Sequence, residues 1–249
     1  MKIQYIGWAT FRLITEKGTR IVIDPFLEGK PKSGIPKAAL TMEDLADTTA
    51  VLVTHAAGDH YAQAVELMNT SEATLFCGRD VEIKTRKAGI PSERIWPMAP
   101  GNRWQFRDIQ ISAFEACHHS MSEVDGQWLS GVPLCFIIDF DSGEKIYFSG
   151  DNALGPHFRF YGEVYHPDLA MLGIGGTNFR GQIRSEMHPD EAAVAAKWMG
   201  VKTVIPMHYF GKEAEEFKGE LAKQAPNIEI VVMNPGETIE YTKALGVKK

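Results

Sequence analysis

Three cysteines in 249 residues, Cys77, Cys117 and Cys135, are too few and too scattered for a disulfide framework. An odd count of separated thiols fits a reducing, cytoplasmic setting instead. Long hydrophobic runs are missing as well. The N-terminal MKIQYIGWATFRLI is interrupted by Gln4, Gly7 and Arg12, so it offers neither the apolar stretch of a secretory leader nor a membrane span. No membrane partner is expected. There is no basic run or stripe: 26 Lys and Arg stand scattered against 32 Asp and Glu, a net charge of -6. A protein held to nucleic acid by phosphate contacts needs the opposite balance, so no nucleic-acid partner is expected. Short repeats, heptads and low-complexity tracts are absent. Histidine is scarce at eight residues, which makes their placement informative.

What is present is the composition of an ordinary soluble globular protein, 44% hydrophobic and 23% charged. The chain opens as a β-meander, KIQYI, TFRLIT and TRIVID, separated by Gly7 and by Glu16-Lys17-Gly18. The proline- and glycine-rich GKPKSGIPKAA reads as a loop, followed by a short helix near Thr41 to Ala46 and a buried strand, AVLVT. Helical patterning resumes from His60 to Met68. Strands ATLFC, ERIWP, RWQF and DIQISAFEA follow, with a helix at VEIKTRKAG. The second half carries strands VPLCFIIDF, KIYFSG, LAMLGI, TVIPM and IEIVVM and helices at PDEAAVAAKWMG and GKEAEEFKGELAKQA. Two β-rich halves, each followed by helices, predict two sheets face to face with helices outside.

The polar residues of interest recur at one place in this pattern, directly after an apolar strand. His55, Asp59 and His60 follow AVLVT; His119 follows ISAFEA; Asp151 follows KIYFSG; His208 follows TVIPM. Strand ends that share a sheet edge bring residues distant in sequence within bonding distance. Imidazole and carboxylate are the donors that Zn2+ and similar divalent ions take at about 2.0–2.2 Å. Each residue also has a plainer reading: Asp59 as the N-cap of a helix, Asp151 as a turn residue, a single histidine as a capping or turn group. Those readings require four coincidences, and the joint pattern outweighs them. Cys117 beside His118 is read as a free thiol on a strand, since neighbours on a strand point to opposite faces.

In their order and spacing these motifs resemble the metallo-β-lactamase-fold hydrolases over nearly the whole chain. VTHAAGDH is similar to that superfamily's His-x-His-x-Asp-His motif, KIYFSGDNAL to its strand ending in a metal-bridging aspartate, and TVIPMHYF to its last histidine strand. The opening GWATFRLI with IVIDPFL, and PDEAAVAAKWMG, resemble the ascorbate-6-phosphate-lactonase-like and related uncharacterised branch. The resemblance implies an α/β, four-layer αββα sandwich, a single domain over residues 1–249, with one or two divalent ions at one edge between the sheets. Zinc is expected, with manganese and iron as alternatives. His55, the residue at 57 and His119 would serve the first ion; Asp59, His60 and His208 the second; Asp151 would bridge. His119 is preferred to His118 because it directly precedes Ser120, and Asp24 would orient a ligand from behind. A metal-bound hydroxide would attack an ester, lactone or phosphoester, with Asp59 or Asp151 as proton acceptor.

Two positions depart from that pattern. Ala57 has no donor atom, so the first ion position keeps only His55, His119 and the shared Asp151, while the second keeps Asp59, His60, Asp151 and His208. His118 and His188 are alternative donors to the first position. Trp8 stands where the branch commonly has histidine, which is expected to remove a polar group from the pocket and narrow its entrance. Arg180, Arg184, His188, His157 and Arg159 are candidate contacts for a small, anionic substrate, against a reading as solvated loop residues. Trp8, Trp104 and Trp128 are candidate walls of an apolar pocket. A non-catalytic metal- or ligand-binding protein and a nuclease on the same scaffold are the competing readings. Self-association into a homo-oligomer stays open.

Overall fold

The structure, a computed structural model, describes residues 1–176, 178, 179, 182, 183 and 186–248, with the backbone alone at 178, 179, 182 and 183. Arg180 and Arg184 lie outside the described residues. The opening segment forms the expected meander: β1 (Lys2–Gly7), β2 (Thr10–Ile14) and β3 (Arg20–Ile23) pair antiparallel in turn. β4 (Ala50–Val53), β5 (Thr74–Cys77) and β6 (Ile95–Pro97) then add in parallel, with α1 (Ala64–Thr70) and α2 (Arg79–Lys87) in the last two crossovers. Parallel neighbours require such crossovers, and their strands end at the same sheet edge.

The chain continues through β7 (Arg103–Phe106), β8 (Ile109–Glu115), a separate hairpin of β9 (Ser120–Val124) and β10 (Gln127–Gly131), then β11 (Leu134–Phe140) and β12 (Lys145–Phe148). The helix α3 (His157–Tyr165) leads to β13 (Leu169–Gly173) and a short pair, β14 (Asn178–Phe179) with β15 (Gln182–Ile183). Then come α4 (Pro189–Met199), β16 (Thr203–Met207), α5 (Glu213–Gln224), β17 (Glu229–Ile230), β18 (Thr238–Thr242) and β19 (Gly246–Lys248). One sheet runs in the order β19-β18-β1-β2-β3-β4-β5-β6, the other β17-β16-β13-β12-β11-β8-β7.

Three apolar clusters define four layers. The largest lies between the sheets, where Phe11 meets Phe148 edge to face, and it takes Leu52 from β4 and Met171 from β13. The opposite faces of those strands supply Val51 and Val53 to a cluster with Leu67 of α1 and Val81 of α2, and Leu172 to one with Phe158, Ala193 and Phe217 of the other three helices. Strands covered on both faces read as continuous apolar runs, which is why AVLV and LAML stand out in the sequence. Each fully buried Phe or Leu contributes roughly 1.5–3 kcal/mol. The αββα sandwich is therefore the arrangement that buries both faces of the central strands of each sheet.

Some local expectations are corrected. The helix expected from His60 begins at Ala64, with Gln63 at its N-cap position, so Asp59 caps nothing. The helix near Thr41 shortens to a 3-10 turn, Glu43–Leu45. The hairpin β9–β10 and the strand β18, which pairs with β1, are additional. No helix among the described residues is long and apolar enough to cross a membrane.

Candidate metal centre

Five strand ends deliver the site. Asp24 follows β3, His55 follows β4, His118 follows β8, Asp151 follows β12 and His208 follows β16. Asp24 and His208 adopt left-handed backbone angles, φ 48° and 54°, as does Trp8 at φ 54°. Such angles are uncommon outside glycine and cluster where a chain must turn a side chain toward a common point. Gly175 permits the closest approach: a β-carbon there would fall 2.0 Å from the carbonyl oxygen of His208.

The buried carboxylate of Asp151 is the centre. Its Oδ1 lies 3.3 Å from Nε2 of His60 and 3.5 Å from Nε2 of His208; its Oδ2 lies 3.8 Å from Nε2 of His55 and 3.7 Å from Nε2 of His118. Asp59 completes the first of these sets, with Oδ2 3.5 Å from His208 Nε2. These separations exceed hydrogen bonds. They are close to the edge of a tetrahedron of donors about 2.0–2.1 Å from a shared cation, roughly 3.3–3.4 Å. His55 Nε2, His60 Nε2, His208 Nε2 and Asp151 Oδ1 are all buried without a hydrogen-bond partner. Buried polar atoms are almost always satisfied; a divalent ion between His60, His208 and Asp151 Oδ1 would satisfy three of these, and a second beside His55 and Asp151 Oδ2 the fourth. The residues present fit such an ion.

The far nitrogens of His55, His60 and His208 face polar partners as well. Asp24, fully buried, accepts hydrogen bonds from Thr54 N–H (2.8 Å), from the Thr54 hydroxyl (2.8 Å) and from His60 Nδ1 (2.8 Å). The Thr54 oxygen in turn lies 3.0 Å from His55 Nδ1. Glu186 Oε2 lies 3.0 Å from His208 Nδ1. A proton fixed on Nδ1 leaves the Nε2 lone pair free to bind a cation. The expected orienting role of Asp24 has its contact here. Glu186 is an addition that the sequence reading missed, because it follows no apolar run in the sequence.

Burial holds His55 well below the ordinary histidine range, with the neighbouring His60 acting in the same direction. Burial would lower His60 and His208 too, but Asp151 with Asp24 raises His60 well above that range, and Asp151 with Glu186 raises His208 to about 10. For Asp59 and Asp151 burial acts upward and is outweighed by His208 and His60, so both carboxylates are held well below the usual range. Protons on the two imidazoles thus offset part of the negative charge of the carboxylates around them, as a divalent cation would.

The sequence-predicted donors His55, Asp59, His60, Asp151 and His208 are brought together. His119 is not. The His118 N–H closes a tight turn on the Ala116 carbonyl at 2.9 Å, which directs the His118 ring to Asp151 and leaves His119 exposed, stacked on its neighbour at 4.4 Å. The donor from this loop is therefore His118. His188 heads α4, its backbone N–H donating to Glu191, and Arg159 of α3 lies over the ring of Trp198 of α4. His157 packs on Phe158 at 4.4 Å, and Trp104 and Trp128 are exposed on strands. Trp8 keeps a polar contact, contrary to expectation: its indole N–H donates to Asp59 Oδ2 at 3.2 Å while the ring lies 4.2 Å from that of His208.

An αββα sandwich with paired histidine and aspartate sets at its strand-end edge defines the metallo-β-lactamase fold class. Residues 19–209 match the beta-lactamase superfamily domain. A UPF0173 metal-dependent hydrolase of Rubrobacter xylanophilus is 35% identical over 245 residues, covering 96% of each chain, and one of Methanobrevibacter smithii is 30% identical, covering 97% of each. Among solved structures, Igni18, a metallo hydrolase of Ignicoccus hospitalis, superposes with a TM-score of 0.78 at 28% identity, covering 97% of this chain and 99% of that one. An isothiocyanate hydrolase from Delia radicum gut bacteria has a TM-score of 0.77 at 18% identity, covering 98% and 100%, a likeness of fold alone. The chain belongs to the beta-lactamase superfamily and, within it, to the UPF0173 family of metal-dependent hydrolases.

Proposed function

We propose that the protein hydrolyses an ester, lactone or phosphoester of a small anionic molecule with zinc as its metal, in the cytoplasm. One observation carries this reading: the two oxygens of Asp151 face two separate imidazole pairs, His60 with His208 and His55 with His118. Nitrogen and carboxylate donors in these numbers suit zinc. A bound divalent ion supplies Lewis acidity, polarising a substrate oxygen and making water a better nucleophile at neutral pH.

The chain's own residues divide the remaining work. Asp59, His60, His208 and Asp151 form a four-donor position. His55, His118 and Asp151 form a three-donor one, weakened because Ala57 offers nothing. Asp151 is buried and turned to both sets, whereas the Asp59 side chain is 20% accessible. Asp59 is therefore the carboxylate placed to accept a proton from an attacking water. Lys30 Nζ, 3.7 Å from Asp59 Oδ1 and half exposed, supplies a cation at the rim for an anionic group. The three free thiols, two of them buried, support the reducing location.

The test is a panel of carboxylic esters, lactones and phosphodiesters assayed with native, chelator-stripped and zinc-restored protein. Hydrolysis of one class that disappears on stripping and returns with zinc is expected. A zinc-loaded protein inert toward the whole panel would contradict the proposal.

A further inference from the structure

A cleft of about 290 Å³ adjoins the metal centre, lined by Trp8, Pro36, Lys37, Tyr209, Phe210 and Met233 among others. The Trp8 ring belongs to both. It lies 4.8 Å from the Phe210 ring and 4.2 Å from that of His208, and its N–H reaches Asp59. The loop after β3 also spans both: Lys30 bridges to Ile35, next to Pro36 of the cleft, and places its ammonium beside Asp59 and over the Phe26 ring. A larger cavity of about 540 Å³ opens around Lys2, Ile14 and Glu240, at the far end of β1 from Trp8, with none of the metal-site residues in it.

We propose that this cleft is the subsite for an apolar, ring-sized group of the substrate, and that Lys30 meets an anionic group at the metal end. This rests on the hydrolytic reading above and names the substrate class within it: a cyclic or aromatic ester, lactone or phosphoester carrying negative charge. Trp8, Tyr209 and Phe210 present aromatic surface that favours offset or edge contact with a second ring. The volume lies at the lower end for small-ligand sites, about 300 Å³, so it admits one ring with its substituents. Lys30 is not within hydrogen-bond distance of Asp59, and its ammonium remains available to a second anion.

Binding of phenylphosphonate and methylphosphonate to zinc-loaded protein, measured by titration calorimetry, tests the cleft without requiring turnover. The two probes share the anionic head and differ by the ring. Phenylphosphonate is expected to bind about tenfold tighter or more, the worth of burying an aromatic group. Met233→Trp, which fills the cleft, should bring the two affinities together while leaving methylphosphonate within about twofold of native. Phe210→Ala, at a half-buried position, should also narrow the ratio and serves if Met233→Trp fails to fold. Lys30→Ala should weaken both probes alike. Equal affinities in the native protein, or a phenyl preference that survives in both cleft variants, would overturn the subsite; unchanged binding in Lys30→Ala would overturn the role of Lys30. A phenyl preference in a protein that hydrolyses nothing in the panel would instead overturn the hydrolytic reading and leave the cleft standing.

Discussion

Three imidazoles at the centre are addressed from behind: His55 by Thr54, His60 by Asp24 and His208 by Glu186. Such partners set ring orientation and basicity, and their loss typically lowers metal affinity 10- to 100-fold. Glu186→Gln keeps the volume but removes the charge beside His208, so zinc affinity should fall within about that range while the unfolding midpoint changes little; competition with a chromophoric chelator measures it. The motif residues were legible because each follows an apolar strand. Choosing between His118 and His119 was beyond the sequence, since one peptide's rotation in the turn at Ala116 decides which ring points inward. Glu186 was invisible because it reaches His208 through the packing of Glu186 and Met187 on Gly175 and Gly176, and no local pattern marks it.

At the scale of elements, the parallel strands make the centre. β3 and β4 in one sheet, and β12, β13 and β16 in the other, end at the same edge, and Asp24, His55, Asp151 and His208 sit within three residues of their ends, with His118 added from the end of β8. Backbone contact fixes the last of these turns: Gly175 passes His208 so closely that any side chain must displace it. Gly175→Ala should destabilise the protein by about 1–3 kcal/mol, the usual cost of overpacking, and weaken zinc binding with it; denaturant unfolding and metal titration on the same sample check both. The strands of the core were legible from continuous apolar runs. The β9–β10 hairpin was not, being polar along SMSEV and QWLSG, although its turn residues Asp125 and Gly126, both with positive φ, form a two-residue hairpin signal. The strand β18 has the alternating burial of a one-sided strand, yet only its pairing with β1 reveals that the C-terminal segment returns to the first sheet.

For the whole molecule, charge balance links the site to folding. Without metal, His60 and His208 carry the protons that offset Asp59 and Asp151. Zinc entering the four-donor position must displace them, so at pH 7 about two protons should be released per ion bound, read from calorimetry in buffers of different ionisation enthalpy. The sign for stability is opposite. A histidine raised from 6.5 to about 10 in the fold stabilises the metal-free protein fully below pH 6.5 and loses that contribution as pH rises toward about 10. Metal affinity should therefore strengthen over the same alkaline window in which the metal-free fold weakens. The central claim is a pair of unequal metal positions sharing Asp151, and zinc titration of the metal-free protein tests it most directly. Two affinities at least about 100-fold apart are expected, the tighter lost in His60→Ala and retained in His118→Ala, the weaker raised by Ala57→His. Two equal affinities, or a tight site that survives Asp151→Ala, would contradict it.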